Sequence, residues 1–250
     1  MTEEVSIERP GGWIAIVEFD RPPNNFFDAR LIEGIADAYD ELEKEGVRAI
    51  VLASAGKHFC AGANFAQENP AESNALYEQA IRLFAARLPV VAAVQGAAIG
   101  GGLGVALSAD FRVATPESRF SANFARLGIH HGFGVSVTLP LVVGHQKALE
   151  LLYTGVRLRG DAAFAMGLCD RLVSTEKLRA TAMALAEEIA TSAPLAVRSI
   201  RETMRGDLAQ RVRAATAHEL AEQAKLFGTD DFREGVAAAS ERRTPKFVGQ

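Results

Sequence analysis

A cationic excess is missing from this chain. Its 250 residues carry 27 lysines and arginines against 31 aspartates and glutamates, a formal net charge of -4. A nucleic-acid surface usually needs a basic stripe, so no nucleic-acid partner is expected. Cysteine is scarce as well. Cys60 and Cys169 stand far apart, with neither C-x-x-C spacing nor a histidine pair of metal-ligand spacing. The reading is two buried free thiols in a reducing compartment, with no metal expected. Apolar runs of membrane-spanning length are absent, so no membrane is expected. Met1-Thr2-Glu3-Glu4 has neither the cationic nor the apolar segment of a secretory leader, and a cytoplasmic location is the default that follows. No stretch is of low complexity. What is present is ordinary for a globular protein: 48% hydrophobic and 23% charged residues, enough for a large core in one domain or one domain with an appendage.

The chain is organised around residues 89–107. Pro89-Val90-Val91-Ala92-Ala93-Val94 is an apolar, β-branched run that reads as a buried strand. Small residues then lead to Gly100-Gly101-Gly102, and Leu103, Val105, Ala106 and Leu107 continue as an apolar helix. Three readings compete. Glycine there can simply permit tight helix–sheet packing. A dinucleotide loop would need G-x-G-x-x-G, and Gly102-Leu103-Gly104-Val105-Ala106-Leu107 lacks the third small residue. The third is a site for an anion, or for an oxygen that becomes one during reaction: backbone comes close where no Cβ intervenes, and amides at a helix start have no internal partner.

A second stretch upstream, Lys57-His58-Phe59-Cys60-Ala61-Gly62-Ala63-Asn64-Phe65, follows the strand signal Ala49-Ile50-Val51-Leu52-Ala53. With both stretches in this order, the chain resembles the crotonase (enoyl-CoA hydratase/isomerase) superfamily, from Trp13 to the tail at Asp230-Asp231-Phe232-Arg233-Glu234-Gly235 and Lys246-Phe247. The resemblance implies an α/β fold: a crotonase-like ββα spiral core over residues 1–190 and a C-terminal all-helical trimerisation region over 191–250. It implies that the Ala63 and Gly101 amides bind the thioester oxygen of an acyl-CoA. It also implies a homotrimer or a dimer of trimers, with no cofactor beyond the coenzyme A of the substrate.

The element pattern agrees with an α/β chain. Strand signals flank Pro10-Gly11-Gly12, and Asp28 is placed to cap a helix with Leu31, Ile35, Ala38, Tyr39 and Leu42 on one face, ended by Gly46. Residues 74–87 read as a helix stopped by Pro89. Helices are expected over 133–143, 146–153 and 161–166, and strands around Phe111-Arg112-Val113-Ala114 and Phe120. From about Thr175 the composition turns to Ala, Glu, Arg and Leu at helical spacing, giving helices near 176–191, 195–204, 208–227 and 232–241.

Hydrating an enoyl-CoA needs a base for the water and an acid for the α-carbon. In typical hydratases of the resembling family two glutamates do this; their positions here are Gly104 and Phe124. An efficient hydratase is therefore not expected. His131, beside Gly132, is the candidate replacement, since histidine titrates near neutrality; the alternative is a residue bonded to backbone at a helix entry. His58 reads as an exposed loop residue. Asn64 and Asn123 can orient a substrate carbonyl or carboxylate, with packing or capping the alternative for Asn123, and Phe124 makes the pocket drier. For coenzyme A, the family's contacts fall at the loop Pro22–Phe26, with Pro22, Asn24 and Phe26, and at Ala63, Asn64, Phe65 and Ala66. Phe227 and Arg242 match contacts from the C-terminal helices; core packing and a solvated charge are the competing readings. The function that follows is acyl-CoA processing through an enolate or oxyanion, as a divergent lyase, isomerase, decarboxylase or hydrolase using His131. The alternatives are an enoyl-CoA hydratase of low or unusual activity, a non-catalytic acyl-CoA-binding protein, or an enzyme of free diketones.

Overall fold

Apolar runs that do not alternate mark strands covered on both faces, and two such runs form the centre of the molecule. The computed structural model describes residues 4–64 and 73–250. A six-stranded sheet is ordered β1-β2-β3-β4-β6-β9. Its strands are β1 (Val5–Gly11), β2 (Ile14–Phe19), β3 (Ala49–Ser54), β4 (Val90–Val94), β6 (Phe111–Ala114) and β9 (Arg171–Leu172). The β1–β2 hairpin is antiparallel and every other pairing is parallel. Every residue of β3 and β4 is buried. One face of the sheet meets α7 (Leu178–Thr191) through Leu178, Ala182, Ala186 and Ala190, three of them small enough for close approach. The other face meets the main core, which takes in α1 (Ala29–Lys44) and α2 (Ser73–Ala85). Asp28 caps α1, accepting the Leu31 N–H at 2.9 Å.

A second sheet, ordered β5-β7-β8, joins β5 (Ala97–Ile99), β7 (Arg119–Ser121) and β8 (Leu158–Arg159). Its β5 sits between β4 and α3 (Gly101–Ser108). The sequence reading treats those residues as a passage of small side chains; they form a strand because Cys60 bridges Ala98 and β7 pairs on the other side.

Helices α4 (Val135–Val143), α5 (His145–Thr154), α6 (Gly160–Ala165), α8 (Pro194–Arg205), α9 (Leu208–Leu226) and α10 (Asp230–Glu241) complete the described chain. Three boundaries differ from expectation for local reasons. α4 begins at Val135 because Phe133 and Gly134 take φ of 62° and 69°, outside the helical region. α7 begins at Leu178, after a 3-10 turn over Thr175–Lys177. α10 begins at Asp230, since Thr229 caps it by accepting the Phe232 N–H at 3.1 Å.

The buried stripe of α9 is Leu208, Val212, Thr216, Glu219 and Gln223. It lies against α2 and α4. The Glu219 carboxylate, 1% exposed, accepts the N–H groups of Gly134 at 2.9 Å and Ser136 at 3.2 Å and the Ser136 hydroxyl at 2.5 Å. It thereby fills the orphan donors at the start of α4. Burial pushes its pKa up, against these hydrogen bonds. Among the described residues, no helix is long and apolar enough to cross a membrane.

Candidate active site

Two glycine-rich segments lie side by side because glycine lets them. The Cys60 N–H donates to the Ala97 carbonyl at 2.8 Å, and the Ile99 N–H to the Cys60 carbonyl at 3.1 Å. This bonding sets residues 60–63 along β5 and toward the start of α3. A Cβ on Gly102 would overlap the Cys60 carbonyl oxygen. At Gly62, whose φ of 94° already disfavours a side chain, a Cβ would lie 2.8 Å from the Ile99 oxygen and 3.8 Å from the Gly101 nitrogen. Gly100 turns the chain at φ 56° and uses its own N–H on Ser121, at 2.8 Å.

Two donors remain. Gly101 opens α3, so its N–H has no partner inside the helix. Among the described residues neither the Gly101 N–H nor the Ala63 N–H has a hydrogen-bond acceptor. Both residues line one cavity of about 330 Å³. Phe27 roofs it: its N–H holds the Gly62 carbonyl at 3.0 Å, and its ring fills the space a Gly101 side chain would need.

The wall is mostly apolar, with Phe26, Phe27, Phe124, Phe133 and Phe227 contributing rings. At Gly104 a Cβ would meet the Phe133 ring at 2.6 Å, so an aromatic ring fills the space beside this glycine. Phe124, also in the wall, is 6% exposed. Asn123 is in the wall with its Oδ1 3.2 Å from where a Gly100 Cβ would be. Asn64 is in the wall too. None of the described wall residues is an Asp, Glu, His, Lys or Arg.

His131 is the main departure from expectation. In its segment the wall residues are Gly132 and Phe133, and the His131 ring is not among them. That ring stacks on His130 at 4.0 Å between centroids and meets the edge of Phe124 at 6.3 Å. Burial, with His130 and His218 nearby, pushes its pKa down to about 4. It is therefore neutral near pH 7. His58 has a bonding role rather than a free loop position: its Nδ1 accepts the Ala97 N–H at 3.2 Å.

Of the expected coenzyme A contacts, Phe26, Ala63, Asn64, Asn123, Phe124 and Phe227 line the cavity. Pro22 and Asn24 do not. Their loop is pinned by Asn25, 2% exposed, whose Nδ2 donates to the Ala55 and His58 carbonyls at 2.8 and 2.7 Å. The Asn24 carbonyl accepts the Ala61 N–H at 3.1 Å, tying the loop to the second segment. Arg242 is exposed at the end of α10 and outside the wall, where Ala239 and Ser240 stand instead. Phe65 and Ala66 lie outside the described residues.

Two wall residues escape the sequence reading. The Tyr77 hydroxyl donates to Gln223 Oε1 at 3.1 Å, and Gln223 Nε2 donates to the His130 carbonyl at 3.1 Å. The available signal was a polar residue on the inward stripe of α9. Tyr77 gave none, since it sits among Leu76, Ala80, Ile81 and Phe84 and reads as core.

The model of the enoyl-CoA hydratase/isomerase family matches residues 10–250. The chain belongs to that family. As one of its enzymes it is 33% identical to a putative enoyl-CoA hydratase of Thermus thermophilus, over 97% of this chain and 100% of that one. It is 34% identical to a crotonyl-CoA hydratase of Syntrophomonas wolfei over 80% of each. The crystal structure of an enoyl-CoA hydratase/isomerase from Pseudoalteromonas atlantica T6c superposes with a TM-score of 0.87 at 28% identity, covering 98% of this chain and 100% of that one. A methylmalonyl-CoA decarboxylase structure superposes with a TM-score of 0.85 over the whole of both chains; at 24% identity it bears on the fold alone. The fold is the α/β crotonase fold with C-terminal helices.

Proposed function

We propose that this family member processes an acyl-CoA thioester by holding its carbonyl oxygen on the Ala63 and Gly101 N–H groups, in a reaction other than fast enoyl hydration. The observation that carries this reading is two N–H groups, without an acceptor among the described residues, on one apolar cavity whose described wall holds no carboxylate. Donors aimed in advance at a developing oxyanion stabilise it strongly in a water-poor site, because they need no reorganisation as the charge forms. They serve any reaction that passes through an enolate or a tetrahedral oxyanion. Hydration needs a base and an acid as well, each typically contributing about 10²–10⁴-fold. Phe133 fills the space beside Gly104 and Phe124 stands at the second position, so we infer that neither glutamate of typical hydratases has a counterpart there.

The test is titration with crotonyl-CoA and saturated acyl-CoA thioesters, following binding and product together. Saturable binding is expected, with hydration of crotonyl-CoA about 10⁴-fold or more below an ordinary member. Hydration at the family's usual rate would overturn the reading. His131, outside the wall and neutral, is read as supporting Phe124. The division into a spiral core over 1–190 and an assembling region over 191–250, with a homotrimer or dimer of trimers, is supported by α8. That helix buries no side chain and leaves Leu195, Ile200 and Met204 78%, 63% and 76% exposed.

A further inference from the structure

We propose that Tyr77 is a catalytic residue whose phenol carries the proton between the site and the α-carbon of the bound thioester, with Gln223 as its positioning residue. The proposal rests on the reading of Ala63 and Gly101 as the thioester-oxygen site. Stabilising an enolate oxygen is half of the chemistry; something must also take or give the carbon's proton. Among the described wall residues only Tyr77 and Ser240 carry an O–H, and Ser240 is exposed while Tyr77 is 7% exposed.

The geometry around Tyr77 is specific. Its hydroxyl is held by Gln223 Oε1 at 3.1 Å, and Gln223, 6% exposed, is itself anchored by donating to the His130 carbonyl at 3.1 Å. Tyr77, Gln223 and Gly132 all line the cavity, and Gly132 packs against the other two. A Cβ there would overlap the Tyr77 hydroxyl oxygen and stand 2.6 Å from Gln223 Nε2. The missing side chain at Gly132 thus leaves room for the Tyr77 hydroxyl in the cavity wall. From Gly132 the wall continues through Phe133, packed on Phe27 at 5.3 Å between centroids, and Phe27 covers Gly101. The phenol and the oxygen site therefore belong to one continuous surface.

In the step, the phenolate form of Tyr77 takes the α-hydrogen. The C–H bond breaks, the O–H bond forms, and the electron pair moves into the enolate, whose oxygen rests on Ala63 and Gly101. In reverse the phenol protonates the α-carbon and becomes phenolate. The only other reactant is solvent water, which takes the hydroxyl proton to leave the phenolate and exchanges the proton that the phenol has gained. Because a phenol is a much stronger acid than the α-carbon of a thioester, the return direction is the favourable one. The group suits reactions that end by protonating an enolate.

The experiment follows deuterium uptake at the α-carbon of butyryl-CoA in deuterium oxide, alongside the Kd for butyryl-CoA. Wild-type protein is expected to exchange well above buffer. Tyr77→Phe should lose about 10²-fold or more in exchange, with Kd within about threefold. Gln223→Leu should show the same split with a smaller loss. Gly132→Ala, which keeps the hydroxyl and displaces it, should also lose exchange, so the proposal does not depend on one variant folding. Exchange by Tyr77→Phe at the wild-type rate overturns the proposal, and loss in His131→Ala alone would transfer the role to His131. Binding without exchange in the wild type overturns the role of Tyr77 and leaves the oxygen site standing. Failure to bind butyryl-CoA overturns both.

Discussion

Ala63→Pro is expected to lower turnover of a thioester substrate by about 10²–10³-fold, the usual cost of losing one oxyanion donor. The Ala63 N–H has no acceptor among the described residues, so proline removes no hydrogen bond among them. The residue before it is Gly62, which has no Cβ to meet the proline ring. The loss should fall mostly on kcat, because the donor matters most when charge has built up on the oxygen, with a smaller rise in KM because the proline Cδ takes the place of the N–H that meets the bound carbonyl. Steady-state kinetics of the folded variant check this. Wild-type kcat in Ala63→Pro would remove Ala63 from the mechanism.

Glu219→Ala should destabilise the chain by about 3 kcal/mol or more. It leaves the buried Gly134 N–H and the half-buried N–H and hydroxyl of Ser136 without an acceptor, where each unsatisfied group costs about 1–3 kcal/mol. For a protein of this size that is a fall of roughly 6–12 °C in Tm, read by calorimetry. The effect should reach the cavity, because the stripe of α9 that carries Glu219 also carries Gln223. The carboxylate has a pH signature too. Burial raises its folded pKa above the ordinary value of a glutamate, so the folded chain binds the proton more tightly than the unfolded chain does. This contribution to stability is greatest below the unfolded pKa and declines as pH rises through the folded one. Glu219→Gln removes that decline, and denaturation midpoints from pH 4 upward measure the difference.

The parts of the fold that were legible in the sequence are those whose burial leaves a pattern. Strands β3 and β4 are buried throughout and show as unbroken apolar runs; α1 shows its inward face at helical spacing and its cap at Asp28. Strands β5, β8 and β9 hold three, two and two residues, too few for any period, and exist through pairing with distant neighbours. The start of α4 was misplaced because the positive φ of Phe133 is a tertiary constraint: its ring is drawn into the space left by Gly104. The two glycine segments could be read as partners since close backbone approach demands glycine. Which side chains of the 130–133 segment face inward depends on the path of the turn. It presents Gly132 and Phe133 to the cavity and leaves His131 stacked on His130. Tyr77 stayed hidden because an aromatic residue on an apolar helix face is the ordinary mark of a core.

The most direct measurement is the infrared carbonyl stretch of a carbonyl-¹³C-labelled butyryl-CoA bound to the protein. Two backbone donors converging on the thioester oxygen weaken the C=O bond. The bound band is therefore predicted at a clearly lower frequency than in water, and to move back part-way in Ala63→Pro. A bound band at or above the frequency in water would show that the oxygen meets neither N–H group, and would contradict the account at its centre.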